Sequence, residues 1–269
     1  VLIRGDEGLE PDPETVTTRS GVEFGAAAPK PLGMTEHLSI VLSQMTQSVG
    51  DLAANAAAMR EVRARHGGAD LILYPELQLI GYPPEDLVLK PALAERAAAL
   101  LAELAAETAD GGPAMLVGSV ERDEEGHLYN MVALLDEGRI VATRRKYELP
   151  NYGTFDEKRV FAPGPLPDVV EWRGVKLGLP ICEDGWFPTV CGHLAAQGAE
   201  ILISVNGSPY EIDKDDRRLT QVFGTRVAET NLPVDFDFDA AIGAHRQWKV
   251  KLRKAIAGLG AKLDPTGAD

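Results

Sequence analysis

Three residues with chemically useful side chains each follow a short run that is typical of a β-strand. They are Glu76 after LILYP, Lys146 after RIVATRR and Cys182 after VKLGLPI. Enzymes with α/β folds commonly place reactive groups where strands end. A carboxylate, an ammonium group and a thiol at such positions could act as proton acceptor, anion stabiliser and nucleophile.

The carboxylate of Glu76 lies within the segment LILYPELQLIGYPPEDL. A carboxylate that is held at a strand end and partly desolvated can act as a base near neutral pH. The alternative is a glutamate that caps a helix or lies on the surface, which is the commoner place for a single glutamate. Taken alone, this segment favours the helix-capping or surface glutamate.

Lys146 opens the segment KYELPNYGTFDEKRVF. A lysine at the end of an alternating strand is usually a solvated edge charge. The residues that follow are less ordinary, because Tyr147, Tyr152 and Phe155 alternate with charged residues around a Pro-Asn pair and a glycine. This mixture is too polar for a core and too aromatic for a simple solvated loop, so we predict a site loop.

Cys182 lies in VKLGLPICEDGWFP, where a predicted strand ends and an acidic turn leads toward a helix that begins with proline. This arrangement resembles a nucleophile elbow, which presents its sulfur outward and its next backbone N–H to an oxyanion. The alternative is a small buried hydrophobic residue, the commonest role of a free cysteine. Cys191, within the helical pattern PTVCGHLAAQG, fits that alternative well.

The elements that must position these residues alternate between short apolar runs and amphipathic stretches. Strands are predicted at HLSIVLSQM, ADLILY, AMLVGSV, YNMVALLD, RIVATRRK, DVVEW, VKLGLPI and ILISV. Helices are predicted at about Leu52–His66, Pro91–Thr108 and Arg217–Thr230. Hairpin connections at Asp136-Glu137-Gly138 and Arg173-Gly174, with helices elsewhere, predict an α/β layered fold with a mixed sheet.

The two ends of the chain differ from its middle. Residues 1–33 are rich in proline, glycine and charge, which predicts a disordered extension, and Met34 is interpreted as a natural start. Residues 34–234 form the predicted domain. Residues 235–269 contain a basic amphipathic helix that nothing in the preceding pattern anticipates.

Composition restricts the possible partners. The 269 residues are 45% hydrophobic, which is enough for the core of one large α/β domain. A net charge of −14 argues against nucleic acid as a main partner and is adequately explained by solubility. The sequence shows neither a long apolar span nor a secretory signal, and its two cysteines match no redox or zinc motif. We therefore expect reduced thiols in a cytoplasmic protein without membrane contact.

The motifs LYPELQLIGYPPEDL, KYELPNYGTFDEKRVF and ICEDGW resemble the glutamate, lysine and cysteine motifs of the nitrilase superfamily. Their sequences are most similar to those of the amidase domain of glutamine-dependent NAD synthetases, and the resemblance extends from about Met34 to Val234. The resemblance implies a four-layer αββα sandwich and a triad of Glu76, Lys146 and Cys182. It also implies hydrolysis of the glutamine side-chain amide through a cysteine thioester, with no metal or organic cofactor and with association into homo-oligomers.

The same resemblance implies contacts for the substrate, L-glutamine. Tyr152 matches the tyrosine of LPNYG, Ser208 the serine of NGSPY, and Lys214 the basic residue that follows. Glu157 is placed as a supporting carboxylate. Gly207 stands where the family pattern has alanine.

The resemblance also has limits. Complete enzymes of this type carry an ATP-dependent synthetase domain with an SGGxDS loop, which is absent here, so a separate synthetase domain or chain would be the partner. After Val234 the expected strand is replaced, which predicts a truncated sandwich with an added C-terminal helix. That helix weakly resembles the first helix of a chemoreceptor zinc-binding domain around His245 and Trp248. One histidine is not a zinc site.

Two other functions stay open. One is a different nitrilase-type activity, such as a general amidase or carbamoylase. The other is an inactive remnant or a module whose helical tail binds a partner. Formation of a thioester with glutamine would distinguish the last of these from an enzyme.

Overall fold

Two β-sheets form the framework that leads to Glu76, Lys146 and Cys182. The structure is a computed structural model that describes residues 20–21 and 38–207, which fall within one compact unit of the chain. Ser208, Lys214, His245, Trp248 and the predicted helix from Arg217 lie outside the described residues.

The elements within these two ranges have the following bounds. The strands are β1 (Ser20–Gly21), β2 (Ser39–Leu42), β3 (Leu71–Leu73), β4 (Ala114–Arg122), β5 (Leu128–Asp136), β6 (Arg139–Arg145), β7 (Val170–Trp172), β8 (Val175–Gly178) and β9 (Ile201–Leu202). The helices are α1 (Leu52–Arg65), α2 (Pro91–Glu107), α3 (Glu157–Val160) and α4 (Pro188–Ala196). Short 3-10 helices cover Glu85–Leu89, Thr108–Asp110 and Cys182–Gly185.

The sheets are mixed, as the sequence predicts. In the first sheet, of order β1-β2-β3-β4-β5-β6, the central pairs β2–β3 and β3–β4 are parallel and the other pairs are antiparallel. Helices α1 and α2 make the crossovers between the parallel strands, whereas hairpins join β4, β5 and β6. In the second sheet, of order β7-β8-β9, β7 and β8 form a hairpin and β9 runs parallel to β8.

The first predicted strand is shorter than expected. HLSIVLSQM was predicted to be extended throughout, but only Ser39–Leu42 pair in the sheet. Beyond Leu42, Ser43 N still donates to the Leu73 carbonyl at 2.9 Å, and the Ser43 hydroxyl donates to Met45 Sδ at 3.3 Å within the segment. The chain then continues as a loop, in which Gln47 Nε2 lies 3.0 Å from the carbonyl oxygen of Glu76 and Ser48 N 2.9 Å from Asn55 Oδ1. Within the predicted extension 1–33, Ser20–Gly21 pair with β2. An edge strand offers unpaired backbone groups for such a pairing.

Two cores lie on the two faces of the first sheet. Between the sheets, Leu71, Leu116 and Leu134 pack with Trp172 and Leu177. On the opposite face, alternate residues of the same strands pack against α1 and α2. This second core includes Ile72, Met115, Val117, Ala133, Met59, Ala97, Leu100 and Leu104. Because both faces are covered, β3 and the central parts of β4 and β5 are apolar without the alternation of a half-exposed strand.

Helix α4 covers the outer face of the second sheet. A Cβ atom added at Gly178 of β8 would lie 3.2 Å from Leu194 Cδ1, so this helix packs closely on the strand. The layers are therefore α1 and α2, the first sheet, the second sheet, and α4, which is the predicted αββα order. No helix in the described part of the chain has the length and apolar character needed to cross a membrane.

Candidate active site

Glu76 stands three residues beyond the end of β3 and is fully buried. Its loop lies directly on β4, because a Cβ atom at Gly118 would come within 2.5 Å of Leu77 N and Pro75 O. Tyr74 fixes the start of the loop by donating from its hydroxyl to the Met59 carbonyl at 2.8 Å. Glu76 is thus not the surface carboxylate that the alternative interpretation required.

The two carboxylate oxygens of Glu76 have different partners. Oε1 accepts hydrogen bonds from Lys146 Nζ at 2.7 Å and from Asn130 Nδ2 at 2.8 Å. Oε2 accepts one from the backbone N–H of Gly207 at 2.9 Å. The departure from the family pattern at Gly207 therefore touches the site, since a Cβ there would approach Oε2 of Glu76 to 3.1 Å.

Lys146 directly follows β6 and is 1% exposed, so it is not a solvated edge charge. Its backbone continues the sheet, with N donating to the Asn130 carbonyl at 2.8 Å. Its ammonium group also donates to Glu157, at 2.9 Å from Oε1 and 2.8 Å from Oε2. One buried cation therefore lies between two buried carboxylates.

The charges of this cluster control its protonation. Burial lowers the pKa of Lys146, but the negative charges of Glu76, Cys182 and Glu157 outweigh it and the net pKa is raised, so the ammonium form persists. Burial raises the pKa of Glu157 to about 7, against the attraction of Lys146 and with the repulsion of Glu76. The Lys146 cation and the Glu76 charge therefore act in opposite directions on the pKa of Glu157.

Glu157 and Tyr82 link the charged cluster to a cavity. The Tyr82 hydroxyl donates to Glu157 Oε1 at 3.2 Å, and burial, followed by the charges of Glu76, Glu157 and Cys182, raises the pKa of Tyr82. Tyr82 also lines a cavity of about 420 Å³. The other lining residues are Gln44, Met45, Gln47, Pro75, Asn206 and Gly207. Glu157 itself is 5% exposed and directed at Lys146.

Cys182 begins the 3-10 helix Cys182–Gly185 and has a φ of +45°, in the left-handed region that non-glycine residues seldom adopt. Its backbone N donates to the Val205 carbonyl at 2.8 Å. This is the sharp strand-to-helix turn that the sequence predicts, although α4 starts only at Pro188. Such strain concentrates at functional sites.

Burial does not separate the two cysteines, because Cys182 is 3% and Cys191 2% exposed. The two cysteines differ in their surroundings. Cys182 lies close enough to Lys146 and Tyr82 for its charge to affect the pKa of both. Cys191 lies inside α4, where its Sγ donates to the Asp184 carbonyl at 3.8 Å.

Asp184 joins the two loops that carry the lysine and the cysteine. Its Oδ1 accepts from the backbone N–H groups of Tyr147 at 3.1 Å and Glu148 at 2.8 Å, and its Oδ2 accepts from Ile181 N at 2.9 Å. Burial raises the pKa of Asp184 to about 6 despite these bonds. Sequence reasoning treated Asp184 only as part of a turn and missed this role.

Tyr152 is 56% exposed, and its hydroxyl donates to both carboxylate oxygens of Glu183, at 3.1 and 3.0 Å. The predicted substrate residue therefore lies beside the residue that follows Cys182. Glu183 is 6% exposed and was not predicted to belong to the site. Ser208 and Lys214, which are predicted to bind the substrate together with Tyr152, lie beyond the part of the chain that the structure describes.

A profile of the carbon-nitrogen hydrolase family matches residues 40–226, more than half of the chain. The chain belongs to the carbon-nitrogen hydrolase family. Among the relatives of this carbon-nitrogen hydrolase, the glutamine-dependent NAD(+) synthetase of Rhodobacter capsulatus is 49% identical over 203 residues, which cover 75% of this chain and 36% of that protein.

Solved structures agree with this membership. The glutamine-dependent NAD+ synthetase of Acinetobacter baumannii, in complex with adenosine diphosphate, has a TM-score of 0.63 at 37% identity and covers 67% of this chain and 34% of that one. A mutant of the Nesterenkonia sp. AN1 amidase, showing covalent addition of the acetamide moiety of fluoroacetamide at its active site cysteine, has a TM-score of 0.60 at 28% identity, with 74% of both chains covered. This carbon-nitrogen hydrolase spans about a third of the NAD(+) synthetases it matches.

Proposed function

We propose that this carbon-nitrogen hydrolase cleaves the side-chain amide of L-glutamine through a cysteine thioester and releases ammonia for NAD biosynthesis. The observation that carries the proposal is the buried Lys146 ammonium, which is bonded to Glu76 and electrostatically coupled to Cys182. The similarity to glutamine-dependent NAD(+) synthetases supports glutamine as the substrate.

In the first half of the reaction, Cys182 Sγ forms a bond to the amide carbon while Glu76 accepts the thiol proton. The negative charge that develops on the carbonyl oxygen is stabilised by Lys146, whose raised pKa keeps it charged. The C–N bond then breaks and Glu76 returns the proton to the departing nitrogen, which leaves as ammonia. The enzyme holds a thioester of glutamate.

In the second half, water attacks the thioester carbon while Glu76 accepts a proton from it. The C–S bond breaks, the sulfur regains the proton, and glutamate leaves. The balance is one amide and one water converted into one carboxylic acid and one ammonia, with no oxidant or reductant. The step as proposed uses no metal or organic cofactor, and ATP belongs to the synthetase reaction that would consume the ammonia.

Tyr152, Ser208 and Lys214 are proposed to bind the amino-acid end of glutamine, with Glu157 holding Lys146. The proposed glutaminase domain is 34–234, flanked by segments 1–33 and 235–269. We propose a cytoplasmic protein that forms homo-oligomers and delivers ammonia to a synthetase domain or chain.

A second candidate function is hydrolysis of simple aliphatic amides. Similarity to the Nesterenkonia amidase over 74% of both chains favours it. The two candidates differ in whether the site requires charged groups on the substrate, because a site built for polar groups rejects analogues that lack them.

The test compares kcat/KM for glutamine and butyramide, measured as ammonia release. The glutaminase proposal predicts a preference for glutamine of about a thousandfold or more. Comparable values would favour the general amidase. Hydroxylamine would trap the thioester as γ-glutamyl hydroxamate, and its absence in a folded protein would favour a non-catalytic module.

A further inference from the structure

Asn130 of β5 contacts both members of the Glu76–Lys146 ion pair. Its side-chain Nδ2 donates to Glu76 Oε1 at 2.8 Å, and its carbonyl accepts from Lys146 N at 2.8 Å. The residue is 1% exposed and pairs with Val120 of β4, within the ladder that joins β4 to β5. The position of its amide is therefore set by the sheet.

Within the described part of the chain, the NH2 group of the Asn130 side chain has a hydrogen-bond partner and its oxygen has none. A carboxylate accepts hydrogen bonds and does not donate them, so the NH2 group must face Glu76. The Oδ1 atom is buried and has no hydrogen-bond partner among the described residues. A buried acceptor without a donor is unfavourable, which means that the amide serves its bond to Glu76 rather than the stability of the core.

This bond makes the two oxygens of Glu76 unequal. Oε1 receives two donors, the ammonium of Lys146 and the amide of Asn130, which occupy its two lone pairs. Among the described residues, Oε2 receives one neutral donor, the N–H of Gly207, and Gly207 lines the cavity. Within the described part of the chain, Oε2 therefore keeps one lone pair that no donor occupies.

We infer that Asn130 is a positioning residue that, together with Lys146, occupies Oε1 of Glu76 and leaves Oε2 as the atom that moves the proton. The inference rests on the proposed function. Oε2 takes the proton from Cys182 Sγ as the S–C bond forms, and gives it to the departing nitrogen as the C–N bond breaks. Asn130 touches no substrate in this scheme.

The test uses Asn130→Leu, which keeps similar bulk without a donor, and Asn130→Ser, which leaves room for a water that can donate. Asn55→Leu is the matched control, since Asn55 is also buried but bonds to Ser48 and Leu79. Among the described residues, Lys146 is bonded to Glu76, and Glu157 and Tyr82 interact with it electrostatically, while Cys182 acts on Lys146 and Tyr82. None of these groups changes in any variant.

For Asn130→Leu we expect kcat with glutamine to fall by about ten- to a hundredfold, with KM changed by no more than about twofold. The fall of kcat/KM on the acid side should move to higher pH, because a donor to the charged carboxylate has been removed. Asn130→Ser should show a smaller loss in the same direction. Asn55→Leu should lower the melting temperature and leave the pH profile in place.

A second measurement follows the rate at which iodoacetamide alkylates Cys182 as a function of pH, and it needs no glutamine turnover. The inference predicts that the alkylation rate of the parent falls toward acid pH and that Asn130→Leu moves this fall to higher pH. If this shift is seen but glutamine is not hydrolysed, the inference holds and only the proposed function fails. Superimposable alkylation profiles for the parent and the folded Asn130 variants would overturn the inference and leave the glutaminase proposal intact. Should Asn130→Leu not fold, the comparison of Asn130→Ser with Asn55→Leu decides in the same way.

Discussion

The backbone N–H of Glu148 donates to Oδ1 of Asp184 at 2.8 Å, across 36 residues of sequence. Oδ2 of the same carboxylate accepts from the residue before Cys182. A single buried side chain therefore fixes the segment after Lys146 against the turn that carries the cysteine.

Replacing Asp184 by alanine should destabilise the fold and lower activity together. Three backbone N–H groups, those of Tyr147, Glu148 and Ile181, would lose their acceptor inside the protein. We expect the free energy of unfolding in urea to fall by about 3 kcal/mol or more. A change below about 1 kcal/mol would mean that water or other groups satisfy these donors.

Cys182→Ala should abolish glutamine hydrolysis, whereas Cys191→Ala should leave most of it. The reason is that Cys182 occupies the strained turn and its charge acts on Lys146, while Cys191 fills space in α4. Ammonia release gives the rates, and circular dichroism verifies folding. Equal losses in two folded variants would overturn the assignment of the nucleophile.

Lys146→Met should lower kcat by about two to four powers of ten through loss of oxyanion stabilisation. It should also cost about 3–5 kcal/mol of stability, because Glu76 and Glu157 remain buried without their shared cation. Lys158→Met is the control, since Lys158 is exposed and lies in the same segment. Similar behaviour of the two variants would remove Lys146 from the proposed triad.

Glu157 should make stability depend on pH. Its pKa is raised from 4.5 to about 7, so the folded protein holds this proton over a range where the unfolded chain has lost it. Relative to Glu157→Gln, the free energy of unfolding of the parent should therefore fall as pH rises from about 4.5 to about 7 and then level off. Denaturant titrations across this range test the sign. Parallel profiles would show that Glu157 titrates normally in the folded state.

Gly118→Ala should be among the most disruptive small substitutions in the first sheet. Its Cβ would come within 2.5 Å of backbone atoms of Pro75 and Leu77, which a side-chain rotation does not relieve. We expect a loss of about 3 kcal/mol, together with a displaced Glu76 and reduced turnover. Gly68→Ala is the matched control, because nothing lies within 4 Å of its added Cβ.

Much of the site follows from the sequence because Glu76, Lys146 and Cys182 each stand just after a patterned strand. Period and turn chemistry also predict the hairpins and the mixed sheet. What the sequence does not reveal are contacts between distant segments. Asn130, the third residue of β5, reads as a polar interruption of an apolar strand. Among the described residues the Asp184 carboxylate bonds to backbone N–H groups, which leave no trace in residue types.

The loop after β2 shows the same limit in the fold. Its residues alternate as a strand does, so HLSIVLSQM reads as extended beyond Leu42. The loop that follows is held by the Glu76 carbonyl and the Asn55 side chain, which bond to Gln47 and Ser48 just beyond this segment and belong to other parts of the chain. Local pattern cannot weigh bonds that exist only after folding.

The placement of one cation between two carboxylates has a consequence for the charge of the site during turnover. Counted with both carboxylates ionised and the thiol neutral, Glu76, Glu157, Lys146 and Cys182 carry one net negative charge. Moving the thiol proton to Glu76 keeps that total, and so does the tetrahedral adduct, in which the charge sits on the substrate oxygen while Glu76 holds the proton. The buried cluster therefore passes through the proposed reaction at constant charge. No step requires an ion to enter from water, and no step creates a new unpaired charge in the low-dielectric interior. The free energy of burying the cluster therefore opposes folding once and does not add to the barrier of each catalytic cycle.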